Sequence, residues 1–259
     1  MDMPDVKSAS RVMAILELVS AHPQGLTLSE ICEKLVIPKS STHELLTVLE
    51  HRNFIELDHK KFRIGIKIFE LGQTASRNLD ILKAIRPPLK WLSAQYSMTT
   101  QFGILECNEV IYLSKIKNVS GISVESQVGS RLPAHATALG KVMLSHLSEE
   151  VLLKNYSNYV FDKFTANSCE SMEELREKIN LIKENGYAED CEEFTQGVFC
   201  LAVSVPEIRT NTVGAISISM SLQEWKKVEK EKIIANLRLA GSQIWADIAS
   251  YYSQRSSVR

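Results

Sequence analysis

Two sets of side chains in this 259-residue sequence have types and spacings suited to chemistry. The first lies in the N-terminal quarter. Lys39, Ser40, His43 and Thr47 share one side of a helical wheel, with Glu44 and His51 at its edge. The other side is the apolar stripe Thr42, Leu45, Leu46 and Leu49. Short polar groups reach base edges and an ammonium reaches phosphate, so this face suits a helix that reads the DNA major groove. The same stripe also fits an ordinary core helix. The second set lies far downstream, at His135, Asp190 and Cys200. As nucleophile, base and orienter, or as metal ligands, these three describe an enzyme or a metal-binding domain. No nucleophile-elbow or metal-spacing motif accompanies them.

A binding site is the other reading of the downstream set. Val198, Cys200, Ala202 and Ser204 alternate with larger residues, as do Ala215, Ser217 and Ser219. As neighbouring strand faces they line a shallow cavity with weak donors and acceptors. Alternatively, they make room for a close-packed helix. His135 to Leu139 opens a helix whose first amides, at Ala138 and Leu139, suit a small carboxylate, or simply form an entry capped by Thr137. The acidic run Ala188 to Glu193, which contains Asp190, reads as a solvated loop.

The elements that must position these groups follow in order. Val12, Ile15, Leu16 and Val19 mark a first helix, with Ser8 or Ser10 as its cap. Thr27 and Glu30 have capping-box spacing before a second helix carrying Leu28, Ile31 and Leu35. Pro38 falls in the first turn of the third. Phe54-Ile55, Asp58 to Lys61 and Phe62 to Ile64 form a hairpin with a basic tip, which completes a winged helix-turn-helix. Ile68, Leu71, Ala75, Leu79, Leu82 and Ile85 keep a near-heptad spacing that suits packing against a partner subunit. Packing against the C-terminal domain is the alternative. Pro87-Pro88 is expected to end or kink that helix, with Leu89, Leu92 and Tyr96 in a separate short one.

Beyond residue 99 the period changes to two. A hairpin turns at Glu106 to Glu109, and a strand is expected at 122–127. Leu132–Lys141 reads as a loop turning into a helix that ends near Leu147, and another helix begins at Ser171 and stops at Asn185-Gly186. Two late strands and a long helix carrying Trp225 through Ile248 complete the chain, with a polar tail from 253.

The net charge of −1 gives no global attraction to nucleic acid. Residues 1–65 carry eight Lys+Arg against nine Asp+Glu, which counts against DNA binding. The cations nevertheless sit where it needs them, at Lys39, Arg52, Lys60, Lys61 and Arg63. Five cysteines without a C-x-x-C pair suit reduced thiols, and the absence of any membrane-length apolar run makes cytoplasmic residence the expectation.

Ser10-Arg11-Val12, Leu28-Ser29-Glu30-Ile31, Pro38-Lys39-Ser40-Ser41-Thr42, Pro133-x-His135-Ala136-Thr137-Ala138-x-Gly140-Lys141, Gly197-x-x-Cys200-x-Ala202 and Ala215 to Ser219 stand in an order and spacing that is specific in combination. On these the chain resembles the IclR family of bacterial transcriptional regulators over nearly its full length. The resemblance implies an α+β protein: a winged helix-turn-helix over 1–65, a linker helix over 66–88 and a GAF-like α/β effector-binding domain over 89–253, with a tail at 254–259. It implies double-stranded operator DNA and a small-molecule effector as partners of a homodimer or homotetramer, and the helix-start amides at Ala138 and Leu139 make a carboxylate the expected effector class. No cofactor, metal or membrane is expected, and no enzyme activity. The candidate DNA contacts are Lys39, Ser40, Ser41, His43, Glu44, Thr47, Arg52, Lys60 and Lys61. Those for the effector are Leu132, Ala138, Leu139, Asp190, Val198, Cys200, Ser217 and Ser219, with Val124 a weaker match. Three departures stand out: Val36 replaces a usual Gly, Glu44 a usual Arg and Ser204 a common Pro. A β-branched residue is penalised at positive φ, so the turn at Val36 is expected to take another shape.

Overall fold

The computed structural model describes residues 6–78, 81–117, 126–209 and 212–256. The chain divides into two units, Met1–Leu79 and Asp80–Arg259. In the first, α1 (Lys7–Ser20), α2 (Leu28–Leu35) and α3 (Lys39–His51) pack around Ile15, Val19, Ile31, Leu46 and Leu49. The hairpin β1 (Ile55–Asp58) and β2 (Lys61–Ile64) closes this core with Ile55 and Phe62. Its turn residues, His59 and Lys60, both have positive φ, the geometry that matches strand twist in a two-residue hairpin. α4 (Ile66–Asn78) completes the unit.

Local rules account for most of these boundaries. The Thr27–Glu30 capping box is formed in both directions. Pro38, by contrast, stands at the N-cap of α3, one position earlier than expected. α1 begins at Lys7 after Val6 and has no side-chain cap, so neither Ser8 nor Ser10 starts it. Val36 overturns the expectation of an altered turn. It adopts φ 53°, ψ 46° and donates its N–H to Cys32 O, the left-handed helix stop that Gly usually fills. Docking of α2 and α3 onto the shared core fixes the turn, and the side chain, 87% exposed, escapes crowding.

In the second unit, α5 (Ile81–Tyr96) continues past Pro87 and Pro88, so the prolines do not end it. The two rings remove two amide donors, yet Ile85, Pro88, Leu89 and Leu92 are all buried, and that packing outweighs the local cost. Ile85 therefore belongs to this unit's own core rather than to a seam between subunits, and Leu82 packs against the same core. Leu79 and the side chain of Ala75 lie outside the described residues.

A six-stranded antiparallel sheet has the order β5-β4-β3-β8-β7-β6. Its strands are β3 (Thr99–Glu106), β4 (Glu109–Ile116), β5 (Arg131–Pro133), β6 (Ala188–Cys191), β7 (Val198–Arg209) and β8 (Thr212–Ser221). The strand expected at 122–127 falls mostly outside the described residues, as does Val124. The acidic run around Asp190 is not a loop, because Ala188 to Cys191 pairs with Phe199 to Ala202 as an edge strand. It tolerates its charges because Glu189 and Glu193 meet lysines.

One sheet face carries Phe102, Leu201, Val203, Ile216, Ile218 and Met220 under α5 and α10 (Lys230–Ser256). The other carries the small residues Cys200, Ala202 and Ala215 under α6 (Ala138–Leu144) and α8 (Met172–Asn185). α7 (Glu149–Tyr156) and the short α9 (Leu222–Trp225) had no expected counterpart, so Trp225 precedes the last helix rather than belonging to it. That helix runs on to Ser256, into the segment read as a tail.

Val36→Gly relieves the left-handed strain and exposes little new surface, so it should stabilise the first unit by about 1 kcal/mol. Hydrogen exchange at the buried Ile31 and Leu46 amides should then slow roughly fivefold. Faster exchange would show that Val36 is not strained.

Candidate functional site

The N-terminal unit presents Lys39, Ser40, His43, Glu44 and Thr47 on the exposed side of α3. The opposite side buries Thr42, Leu46 and Leu49. Ser41 is half-buried and accepts a hydrogen bond from Arg11 Nη1 at 3.3 Å, which ties α3 to α1. Thr47 donates its hydroxyl to His43 O at 2.9 Å, leaving lone pairs outward. Arg52 caps the end of α3, and Lys60 projects from the hairpin turn, with Lys61 half-buried beside it. Arg63 is engaged by Asp58 at 2.7 Å, so its charge is already matched. Val48 was missed by the sequence reading. It is an exposed apolar residue on α3 that suits contact with a thymine methyl.

In the second unit the strand register brings the small faces together. Asp190 lies opposite Cys200, Cys200 opposite Ser219, and Ser217 opposite Ala202 and Gln101. Leu132, Ala138, Leu139, Asp190, Val198, Cys200 and Ser217 line one cavity of about 20 Å³. Ser219 does not line it. Its hydroxyl sits 3.1 Å from Cys200 Sγ, so it meets the cavity only through that thiol. Gln101, Tyr112, Phe194 and Thr195 also line the cavity and escaped the sequence reading; Thr137, which was read only as a helix cap, lines it too. Phe194 and Thr195 face a second, outer cleft of about 320 Å³ beside Phe164 to Asn167. The inner space has room for about one water.

The floor of the cavity is electrostatically unusual. Burial raises the Asp190 carboxyl to about 7 against the pull of Lys141, the Glu193 N–H and Lys178, and the Glu193 charge adds to the rise. Asp190 Oδ1 accepts the Glu193 N–H at 2.8 Å. Glu193 is itself held by the fully buried Lys141 and, at 2.8 Å, by Lys178. The start of α6 is fixed by Thr137, which accepts from Gly140 N at 3.1 Å. Gly140 permits the close approach: a Cβ there would stand 2.1 Å from Ala134 O.

The three residues of the enzyme reading do not assemble. Burial and the nearby Asp190 charge push the Cys200 thiol upward, which is unfavourable for a nucleophile. His135 does not line the cavity. It packs among Tyr159, Phe161 and Phe164, with Nδ1 3.2 Å from the Tyr159 hydroxyl, and burial lowers its basicity. Among the described residues no His, Cys, Asp and Glu group could hold a metal.

Family models match both units. Residues 8–59 match the IclR helix-turn-helix domain, and residues 73–246 match the C-terminal domain of the bacterial transcriptional regulator IclR. The chain belongs to the IclR family. It is 32% identical over 241 residues to the HTH-type transcriptional regulator XynR of Escherichia coli, covering 92% of this chain and 96% of that one. It is 28% identical over 220 residues to the E. coli transcriptional repressor IclR, covering 83% and 80%. Among solved structures, an IclR homolog from Microbacterium hydrocarbonoxydans complexed with 4-hydroxybenzoate superposes with TM-score 0.80 at 23% identity, over 94% of this chain and all of that one. The protein is thus an α+β DNA-binding transcriptional regulator with an effector domain, not an enzyme. No helix among the described residues is long and apolar enough to cross a membrane.

The raised Asp190 carboxyl has a signed consequence. Between about pH 4 and 7 the unfolded chain has lost this proton while the folded chain keeps it, so the group lowers stability as pH rises, by at most about 1.4 kcal/mol per unit. Above the folded value the cost is constant. Asp190→Asn should gain on wild type across that window and then run parallel, as read by urea unfolding at several pH values. Parallel curves from pH 4 upward would show that Asp190 ionises normally.

Proposed function

We propose that this IclR-family protein is an effector-responsive repressor of a catabolic operon. In this reading it binds an inverted-repeat operator as a homodimer or a pair of dimers and senses a small organic acid. The observation that carries the ligand class is Asp190, a buried carboxyl set in the same cavity as the Ala138-Leu139 helix start, Cys200 and Ser217. The helix-start amides favour a carboxylate. Asp190 accepts from a hydroxyl or amine on the same molecule, or donates while it keeps its proton. Leu132 and Val198 keep one wall apolar. A hydroxylated acid fits this set, and the Microbacterium fold neighbour holds one, 4-hydroxybenzoate.

Self-association is proposed through α4, which leaves Ile66 63%, Phe69 61% and Leu71 49% exposed. A two-fold pair of α3 helices would then meet half-sites spaced by the DNA repeat. Leu71→Asp should reduce the oligomer to monomers in sedimentation and weaken operator binding. An intact oligomer would remove α4 from the interface.

For DNA, Lys60→Ala combined with Lys61→Ala should weaken binding to all sequences and flatten the salt dependence by about two counterions, while His43→Ala should relax preference at particular bases. An unchanged salt slope would take the hairpin off the DNA.

For the effector, Ser217→Leu or Asp190→Ala should abolish binding of an acid that wild type binds, while leaving operator affinity intact. Calorimetry with and without operator reads both arms. Wild type should show the same coupling factor in each direction, because linkage is reciprocal. Undiminished binding in both variants would place the sensor elsewhere.

A further inference from the structure

Lys141 and Glu193 also line a second cavity, of about 330 Å³, together with Lys178, Leu181, Asn185 and Glu189. We propose that this cavity is a second small-molecule site, which takes a monoanionic organic acid with a short apolar body. Its size falls in the range of ordinary ligand pockets, whereas the Asp190 cavity holds about one water.

Charge selects an anion. Glu193 carries one negative charge but meets two ammonium groups, the buried Lys141 and the partly exposed Lys178. Glu189 is matched singly by Lys230 at 3.1 Å. Asp190, whose carboxyl also feels Lys141 and Lys178, keeps its proton up to about pH 7, so below that pH three ammonium groups face two carboxylates and one positive charge is left over. Burial dedicates Lys141 to Glu193, so the surplus sits at Lys178, the cation of that pair that solvent reaches. An ammonium has three donors, and Lys178 can bind a second carboxylate without releasing Glu193.

The apolar body has its wall on the same helix. Lys178, Leu181, Ile182 and Asn185 stand at i, i+3, i+4 and i+7 on α8, so they share a face. Leu181 is 57% exposed at a site where a covered leucine would gain stability. A carboxylate on Lys178 lays its chain over Leu181 towards the Asn185 amide. The site is independent of the Asp190 reading, and neither Lys178 nor Leu181 lines that cavity.

The test uses the full-length protein without DNA and hexanoate as the probe, followed by ligand-observed saturation-transfer NMR and titration. Hexanoate should bind, while neutral hexanamide and cationic hexylammonium bind at least about tenfold more weakly. Lys178→Gln and Leu181→Asp should each weaken hexanoate by about tenfold or more, and Lys178→Arg should keep it within roughly threefold. At pH 6, where Asp190 keeps its proton, Asp190→Asn should leave it unchanged. Both α8 positions reach solvent, and Lys141 still pairs Glu193 in every variant, so thermal unfolding should stay near wild type. Absence of hexanoate binding to wild type, equal binding of hexanamide, or full binding by Lys178→Gln would each overturn the site. Loss in Asp190→Asn would also overturn it, by placing hexanoate in the other cavity.

Discussion

The ammonium of Lys141 is withdrawn from water and held by Glu193, itself almost wholly buried. Removing one member of such a pair leaves an uncompensated buried charge, typically at a cost of about 3–5 kcal/mol. The pair therefore commits α6 and the segment after β6 to one arrangement. The Glu193 N–H in turn holds Asp190 Oδ1, which sets the orientation of the cavity's carboxyl. A bond made for burial thereby positions the carboxyl that lines the cavity. It also explains why an acidic run can form an edge strand, because its charges are spent inside the unit.

The sheet supplies the second constraint. β7 and β8 are buried on both faces, but the residues differ in size: Leu201, Val203, Ile216 and Ile218 on one, Cys200, Ala202, Ala215 and Ser217 on the other. Large residues under α5 and α10 fill a conventional core. Small residues let α6 approach closely, and Gly140 lets it touch Ala134. What remains between α6 and the sheet is nearly closed, with Phe194 and Thr195 shared between it and the outer cleft. Nothing larger than a water fits this space without displacing a wall.

The N-terminal unit follows different rules. Its core is small, its caps are local, and it carries no excess of positive charge. Placement substitutes for total charge: Asp58 neutralises Arg63, while Lys39, Arg52 and Lys60 remain exposed on α3 and the hairpin. The left-handed Val36 shows tertiary packing overriding a residue's own preference, since the helices on either side are both anchored in one core.

The sequence by itself determined most element types, the winged helix-turn-helix pattern, the polar face of α3 and the capping box, because each depends on residues a few positions apart. It also placed Leu132, Ala138, Leu139, Asp190, Val198, Cys200 and Ser217 in one candidate set, through strand alternation and family resemblance. Only the tertiary structure decided which strands are neighbours. That decision added Gln101 and Tyr112, excluded His135, moved Ser219 behind Cys200 and turned an acidic loop into an edge strand. Long-range pairing has no local signature, so the register joining residue 101 to 217 cannot be read from either stretch alone. Burial of Leu89 and Leu92 likewise carried α5 through two prolines that local propensity treats as a stop, since packing energy is summed over the fold and propensity over a single turn.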